Sequence, residues 1–121
     1  MAKTPCEYDE GLVEHPLTFA SGITVASPNG SAKCYTYGKV CYISLNNITF
    51  ANTGFNQQLI SGVPKPIAQV SFNRPGGSMP MYTEEIENNG AYISKGATTI
   101  KFNIGSNNNV GHWMNATYLT E

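Results

Sequence analysis

The sequence is poor in charge. Only 12% of its 121 residues are Asp, Glu, Lys or Arg, about half the usual share, and the formal net charge is −1. The basic side chains are scattered, which argues against nucleic-acid binding, because phosphate contacts need clustered Lys and Arg. Amides and hydroxyls must supply most of the polar surface. Such a surface suits contact with a neutral polymer such as a glycan, or burial in an oligomer. An ordinary domain with few charges would have the same kind of surface, so this alternative stays open.

Long apolar runs are absent as well. No stretch approaches the ~20 residues that a helix needs to cross a bilayer. The first five residues carry no apolar signal-peptide core. We therefore expect no membrane insertion. The chain is expected either to be made in a cytoplasm or to be a fragment of a longer one. Hydrophobic residues make up 40% of the chain, which is enough for one packed core in a single domain of this length.

Metal-binding and redox motifs are missing. The three cysteines, Cys6, Cys34 and Cys41, show no CxxC spacing, and the two histidines, His15 and His112, lie far apart in the sequence. An odd number of cysteines with these spacings argues against both a disulfide framework and a zinc site. We expect reduced thiols, no metal and no cofactor.

Motifs for catalysis are not found either. The chain has no Gly-x-Ser-x-Gly or phosphate-loop motif, and its only aspartate, Asp9, lies near the N-terminus. Within residues 18–121, the carboxylates that could act as a pair in glycoside hydrolysis are limited to Glu84, Glu85, Glu87 and the terminal Glu121. Charges spaced in this way along one strand are usually solvent-facing. We predict no catalytic residues and a non-enzymatic protein.

The sequence does contain a series of short strand patterns separated by turns. Alternating apolar residues, interrupted by Gly, Pro and Asn clusters, predict an all-β fold over residues 18–121. About 8–10 short strands at this spacing favour an antiparallel β-sandwich or a barrel. Residues 1–17 are predicted to be an N-terminal neck or linker, with a helical turn around Tyr8 to Val13, or else a frayed terminus.

One hairpin permits a prediction of register. A two-residue turn at Tyr37-Gly38 would place Cys34 directly opposite Cys41. The face of the second strand that contains Cys41 and Ile43 is the more apolar one. Both thiols are therefore expected in the core, where cysteine behaves as a small hydrophobe.

Residues suited to binding are better represented than residues suited to catalysis. Saccharide sites combine an aromatic ring with amides and few charges, because sugars present both apolar faces and hydroxyls. Trp113, the sole tryptophan, follows His112 and a loop that includes Asn108, while Arg74 and Tyr82 flank another long loop. These five residues are the candidate ligand contacts. A core anchor for Trp113 and a solvated loop charge for Arg74 remain open alternatives.

Four segments, taken in order, are similar to a known family. They are Gly38-Lys39-Val40-Cys41-Tyr42-Ile43, Gly62-x-Pro64-x-Pro66, Asn89-Gly90-Ala91-Tyr92-Ile93-Ser94 and Trp113-x-Asn115-x-Thr117-Tyr118-Leu119-Thr120. Their order resembles the C-terminal domains of tail and baseplate proteins from siphophages of Gram-positive bacteria, over about residues 30 to 121.

The resemblance implies a jelly-roll sandwich that assembles as a homotrimer in the phage tail of the virion. It implies contact with host cell-wall saccharide and with other tail or baseplate proteins. It transfers no binding residues, because the saccharide sites of such proteins lie on variable loops. Two other functions stay open: a structural assembly module of a tail or baseplate, and a bacterial carbohydrate-binding module.

Overall fold

The computed structural model describes residues 11–25, 30–73, 89–105 and 111–121. Within these residues ten strands form two antiparallel sheets, which confirms the all-β class and is consistent with a β-sandwich. The strands are β1 (Leu12–Glu14), β2 (Thr18–Phe19), β3 (Ile23–Val25), β4 (Ser31–Tyr37), β5 (Val40–Phe50), β6 (Gly54–Ser61), β7 (Val70–Ser71), β8 (Gly90–Ile93), β9 (Thr99–Ile104) and β10 (His112–Leu119).

Sheet A has the strand order β1-β4-β5-β10, and β3 pairs with the last residues of β5. Opposite residues in neighbouring strands point to the same face. Leu12 lies opposite Tyr37, Tyr37 opposite Val40, and Val40 opposite Leu119. These four residues, which we name the apolar row, are exposed and cross the outer face of sheet A.

Sheet B has the strand order β2-β6-β9-β8-β7. The core lies between its inner face and that of sheet A. Along β9 every second residue is buried, so Ile100, Phe102 and Ile104 point inward. Phe102 packs against Phe50 of β5 with ring centroids 5.0 Å apart. Each such apolar side chain stabilises the fold by about 1.5–3 kcal/mol when fully buried.

The turn of the β4–β5 hairpin is displaced by one residue from its predicted position. Tyr37 pairs with Val40, so the turn is Gly38-Lys39 and not Tyr37-Gly38. Gly38 has a φ of +61°. A two-residue hairpin with glycine at its first central position has the signature of a type II′ turn, which matches the twist of the strands. The conformational freedom of glycine therefore decides the register here.

The predicted direct pairing of Cys34 with Cys41 is consequently wrong, because Cys34 lies opposite Ile43. Both cysteines are nevertheless fully buried on the inner face, as expected. They are diagonal neighbours, and their Sγ atoms are 3.7 Å apart. This distance is far longer than the ~2.05 Å of a disulfide, and both thiols are free.

Part of the predicted neck pairs with sheet A. Leu12–Glu14 forms β1, so the described end of the predicted helical turn is extended. The N–H of His15 donates to the carbonyl of Cys34 at 2.8 Å, and Lys33 Nζ lies 3.2 Å from Glu14 Oε2. A strand of three residues is too short to show alternation, which is why the boundary drawn at residue 17 excluded it.

Candidate functional site

The outer face of sheet B carries a row of polar side chains across four strands. Lys101 of β9 lies between Gln58 of β6 and Tyr92 of β8, and Tyr92 is paired in turn with Ser71 of β7. They point away from the core because their chain neighbours in β8 and β9 are buried. Together with the side-chain amides of Asn103 and Asn56, these four residues form what we name the Tyr92 face. Its six members are Ser71, Tyr92, Lys101, Gln58, Asn103 and Asn56.

The ring of Tyr92 is fixed by contacts within this face. Its hydroxyl donates to Oδ1 of Asn56. The backbone N–H of Asn56 donates to Oδ1 of Asn103 at 2.7 Å. Lys101 Nζ lies 5.9 Å from the ring centroid, within the range of a cation–π interaction. These contacts pre-orient the ring and the amides before any ligand arrives.

Asn56 has a left-handed backbone at an irregularity in β6. Its φ is +58°, and the pairing of β6 with β9 shifts between Gly54 and Gln57. Nε2 of Gln57 donates to the carbonyls of Asn52 and Gly54, both at 3.2 Å. Asparagine tolerates this conformation better than most residues. Backbone strain of this kind clusters at functional sites, which makes the irregularity a pointer to the Tyr92 face.

A second aromatic ring stands beside this face. Phe55 immediately precedes Asn56, and its side chain is 73% exposed. This is the highest exposure among the large hydrophobic side chains in the described residues. A ring so open to solvent contributes little to the core and offers its surface to a ligand.

The Tyr92 face is close to neutral. Lys101 is its only charged member, and none of its six residues carries a carboxylate. It presents three side-chain amides, two hydroxyls and an aromatic ring. Amides and hydroxyls can both donate and accept hydrogen bonds, and the ring provides an apolar surface. This combination is suited to binding a polyhydroxylated ligand and lacks paired carboxylates for acid–base chemistry.

No protein-family model matches the chain, and no curated protein or solved structure was found to match it. Within the described residues, none of the elements is a helix long and apolar enough to span a membrane. The same part of the chain contains no group of three or more His, Cys, Asp and Glu side chains that could bind a metal. The outer faces of the two sheets are therefore the features that bear on function.

Two of the five predicted ligand contacts lie on β10. His112 is buried, with its ring edge-on to Phe50 at a centroid distance of 4.9 Å and its Nε2 3.0 Å from Nδ2 of Asn89. It therefore packs in the core and presents no surface to a ligand. Trp113 points the other way and is half-buried on the outer face of sheet A. It is neither an interior anchor nor part of the Tyr92 face.

The other three predicted contacts, Arg74, Tyr82 and Asn108, lie outside the described residues. So do Glu84, Glu85 and Glu87, the carboxylates considered for glycoside hydrolysis. Within the described part of the chain, the structure does not bring the predicted contacts together. The Tyr92 face has a sequence signal that could have identified it. Lys101 and Asn103 alternate with buried residues of β9, and Tyr92 alternates with buried residues of β8.

The two buried thiols form a coupled pair. Their hydrogen bond lowers the pKa of Cys41 from 9.0 to about 7. The same hydrogen bond, together with burial, raises the pKa of Cys34 far above its usual range. Burial also raises the pKa of Tyr118, whose hydroxyl donates to the carbonyl of Pro64 at 2.8 Å. The pair therefore releases one proton easily and retains the second, but its burial keeps it from reagents in solvent.

Proposed function

We propose that this protein is a non-enzymatic adhesion domain that recognises a saccharide of a bacterial cell surface. The single observation that supports this most directly is the Tyr92 face. It joins a positioned aromatic ring to amides and hydroxyls, without a carboxylate pair. Weak ligand contacts of this kind give specificity through the placement of hydrogen bonds and not through charge.

The biological setting we propose is the tail of a bacteriophage. The order of the sequence segments that resembles siphophage tail and baseplate domains supports it. In that setting the protein is made in the host cytoplasm and resides in the virion, in contact with other tail or baseplate proteins. The same resemblance supports a jelly-roll arrangement, and the two antiparallel sheets are consistent with a sandwich.

We further propose that the chain assembles as a homotrimer through the outer face of sheet A. The apolar row supports this, because Leu12, Tyr37, Val40 and Leu119 are 57%, 52%, 44% and 52% exposed. Contiguous exposed apolar side chains on a soluble domain usually mark a contact surface. A second copy is the partner that this neutral, low-charge surface fits best.

The apolar row also favours a second candidate function, which is a structural assembly module of a tail or baseplate. In that case the row would contact another tail protein, and the Tyr92 face would bind no sugar. The two functions differ in one measurable respect, the binding of free oligosaccharides by the isolated protein.

The test is a calorimetric titration of the protein with a panel of neutral oligosaccharides. We expect saturable binding to at least one of them, weakened by Tyr92→Ala and by Phe55→Ala. Tyr37→Ala is the matched control, because it removes a similar ring from the other sheet. Monovalent sugars should bind this control with unchanged affinity per site. If the protein binds none of the oligosaccharides but binds firmly to a purified tail protein, the assembly module is established instead.

A further inference from the structure

A groove lies along the free edge of β10. It has a volume of about 330 Å³, at the lower end of the range of small-molecule pockets. On one side it is bounded by the end of β10, and on the other by the chain segment that leads into β7. Its lining residues are Ile67, Ala68, Gln69, Val70, Ser71, Thr117, Tyr118 and Leu119.

The edge of β10 is hydrogen-bonded on both sides of this groove. The backbone of Asn115 exchanges two hydrogen bonds with that of Asn73, at 2.9 and 2.7 Å. The carbonyl of Leu119 accepts from the N–H of Ile67 at 3.1 Å. In an antiparallel strand, alternate residues direct both backbone groups to the same side. The N–H and C=O of Thr117 therefore also point away from β5, into the groove, and neither has a partner among the described residues.

The backbone of Thr117 lacks a partner on this side because the chain changes sheets here. After Ile67 it leaves β10, and Val70 and Ser71 pair with Ile93 and Tyr92 of sheet B. It returns to β10 only at Asn73. The unpaired stretch of β10 is therefore one residue long, and the hydrogen bonds at Asn115 and Leu119 close it at both ends. A second strand has no room to extend along this edge. The groove can accommodate a compact ligand with one acceptor and one donor on adjacent atoms.

We infer that this groove binds one pyranose ring of the saccharide through two neighbouring hydroxyl groups. The N–H of Thr117 donates to one hydroxyl oxygen, and the C=O of Thr117 accepts from the adjacent hydroxyl. Vicinal hydroxyls suit this pair because each can donate or accept. The apolar C–H face of the ring lies against Ile67, which is exposed and lies outside the apolar row.

This inference rests on the proposed saccharide function and makes it more specific. Ser71 both lines the groove and pairs with Tyr92. One oligosaccharide can therefore place a ring in the groove while a neighbouring ring contacts the Tyr92 face. The ligand class it names is a saccharide with a free vicinal diol on the ring that enters the groove.

The test is a nuclear magnetic resonance titration of ¹⁵N-labelled protein with methyl pyranosides and with analogues that lack one hydroxyl of the pair. We expect a saturable downfield shift of the Thr117 amide proton with at least one pyranoside. The matching deoxy analogue should bind at least tenfold more weakly.

Two variants separate the backbone from the side chain. Thr117→Pro removes the N–H that points into the groove, at an edge position where proline is tolerated. We expect it to lose the groove site, whereas Thr117→Val, which keeps the N–H, should retain it. If Thr117→Pro fails to fold, Ala68→Phe fills the groove from the opposite wall and should abolish the same shift.

The outcomes distinguish this inference from the proposed function. If sugars shift only Tyr92, Lys101 and Asn103, saccharide binding stands and the groove site is refuted. If no sugar shifts any resonance, both fail. A shift of Thr117 by N-acetylalanine methylamide but by no pyranoside would show a peptide site and overturn the inference.

Discussion

Replacement of Tyr92 is the sharpest test of the candidate face, because the structure separates the contributions of its ring and its hydroxyl. Tyr92→Phe removes the hydrogen bond to Asn56, which is exposed and worth about 0.5 kcal/mol of folding stability, the low end of the usual range. Tyr92→Ala also removes the cation–π contact with Lys101, worth about 0.5–1 kcal/mol at an exposed site. The expected losses are therefore about 0.5 kcal/mol for Phe and about 1–1.5 kcal/mol for Ala, measured by urea denaturation.

The effect on ligand binding should follow the same order. Loss of an aromatic contact surface costs about 1 kcal/mol, which is about fivefold in Kd. Tyr92→Ala should reach this value with the best sugar of the panel, while Tyr92→Phe, which keeps the ring, should lose less. Calorimetry with a monovalent sugar gives the affinity, and circular dichroism confirms the fold. A folded Tyr92→Ala protein that binds as tightly as the wild type would refute the role of this face.

Three further predictions concern backbone strain and the buried thiols. Asn56→Ala should be less stable than Asn56→Gly by about 1 kcal/mol in urea denaturation, because both variants lose the amide but only glycine accepts a φ of +58° without cost. Equal stabilities of the two variants would show that the backbone at residue 56 is not strained. Gly62→Ala should cost roughly 1–3 kcal/mol, since its φ is +103° and a Cβ would meet a backbone oxygen at 2.7 Å, whereas Gly90→Ala, with open space around its Cβ, should be close to neutral. In a variant that lacks Cys6, the absorbance at 240 nm should show one thiolate forming near pH 7, from Cys41. The pKa of Cys41 in the folded protein lies below its value in the unfolded chain. The stabilisation from this thiolate is therefore complete above about pH 8.5 and is lost as the pH falls through 7. Two thiolates, or none, below pH 9 would contradict the coupling with Cys34.

The sequence was sufficient for the fold class but not for the site. Alternation in β9 and β10 is regular, so it predicts both strands. The register of the β4–β5 hairpin was missed because Tyr37-Gly38 and Gly38-Lys39 fit the same pattern, and only the φ of Gly38 distinguishes them. His112 looked like a ligand contact because it lies in the sequence between the loop that includes Asn108 and Trp113, yet the core accepts a histidine that has an aromatic ring and an amide as neighbours.

The candidate site was missed for a different reason. A face formed by Ser71, Tyr92, Lys101 and Gln58 requires the strand order β7-β8-β9-β6, in which β9 pairs with β6 although the two strands are not consecutive in the chain. No local pattern encodes that order. The groove at Thr117 is less predictable still, because it exists only where the chain leaves one sheet for the other.

The two outer faces together make a prediction about avidity that neither makes alone. If sheet A forms the contact between copies, the Tyr92 face on sheet B stays exposed on each copy, and a trimer presents three sites at once. Val40→Glu places a charge in the apolar row of sheet A, where Val40 is 44% exposed, so the monomer should keep its stability within about 0.5 kcal/mol. Light scattering should then report a monomer, and calorimetry should find the affinity for a monovalent sugar unchanged. Retention on a surface that displays many copies of the sugar should fall by 10²-fold or more, because linked sites gain affinity without any new contact. Equal loss with monovalent and multivalent sugar would mean that the apolar row itself binds the ligand. A wild-type protein that is already a monomer at micromolar concentration would refute the trimer.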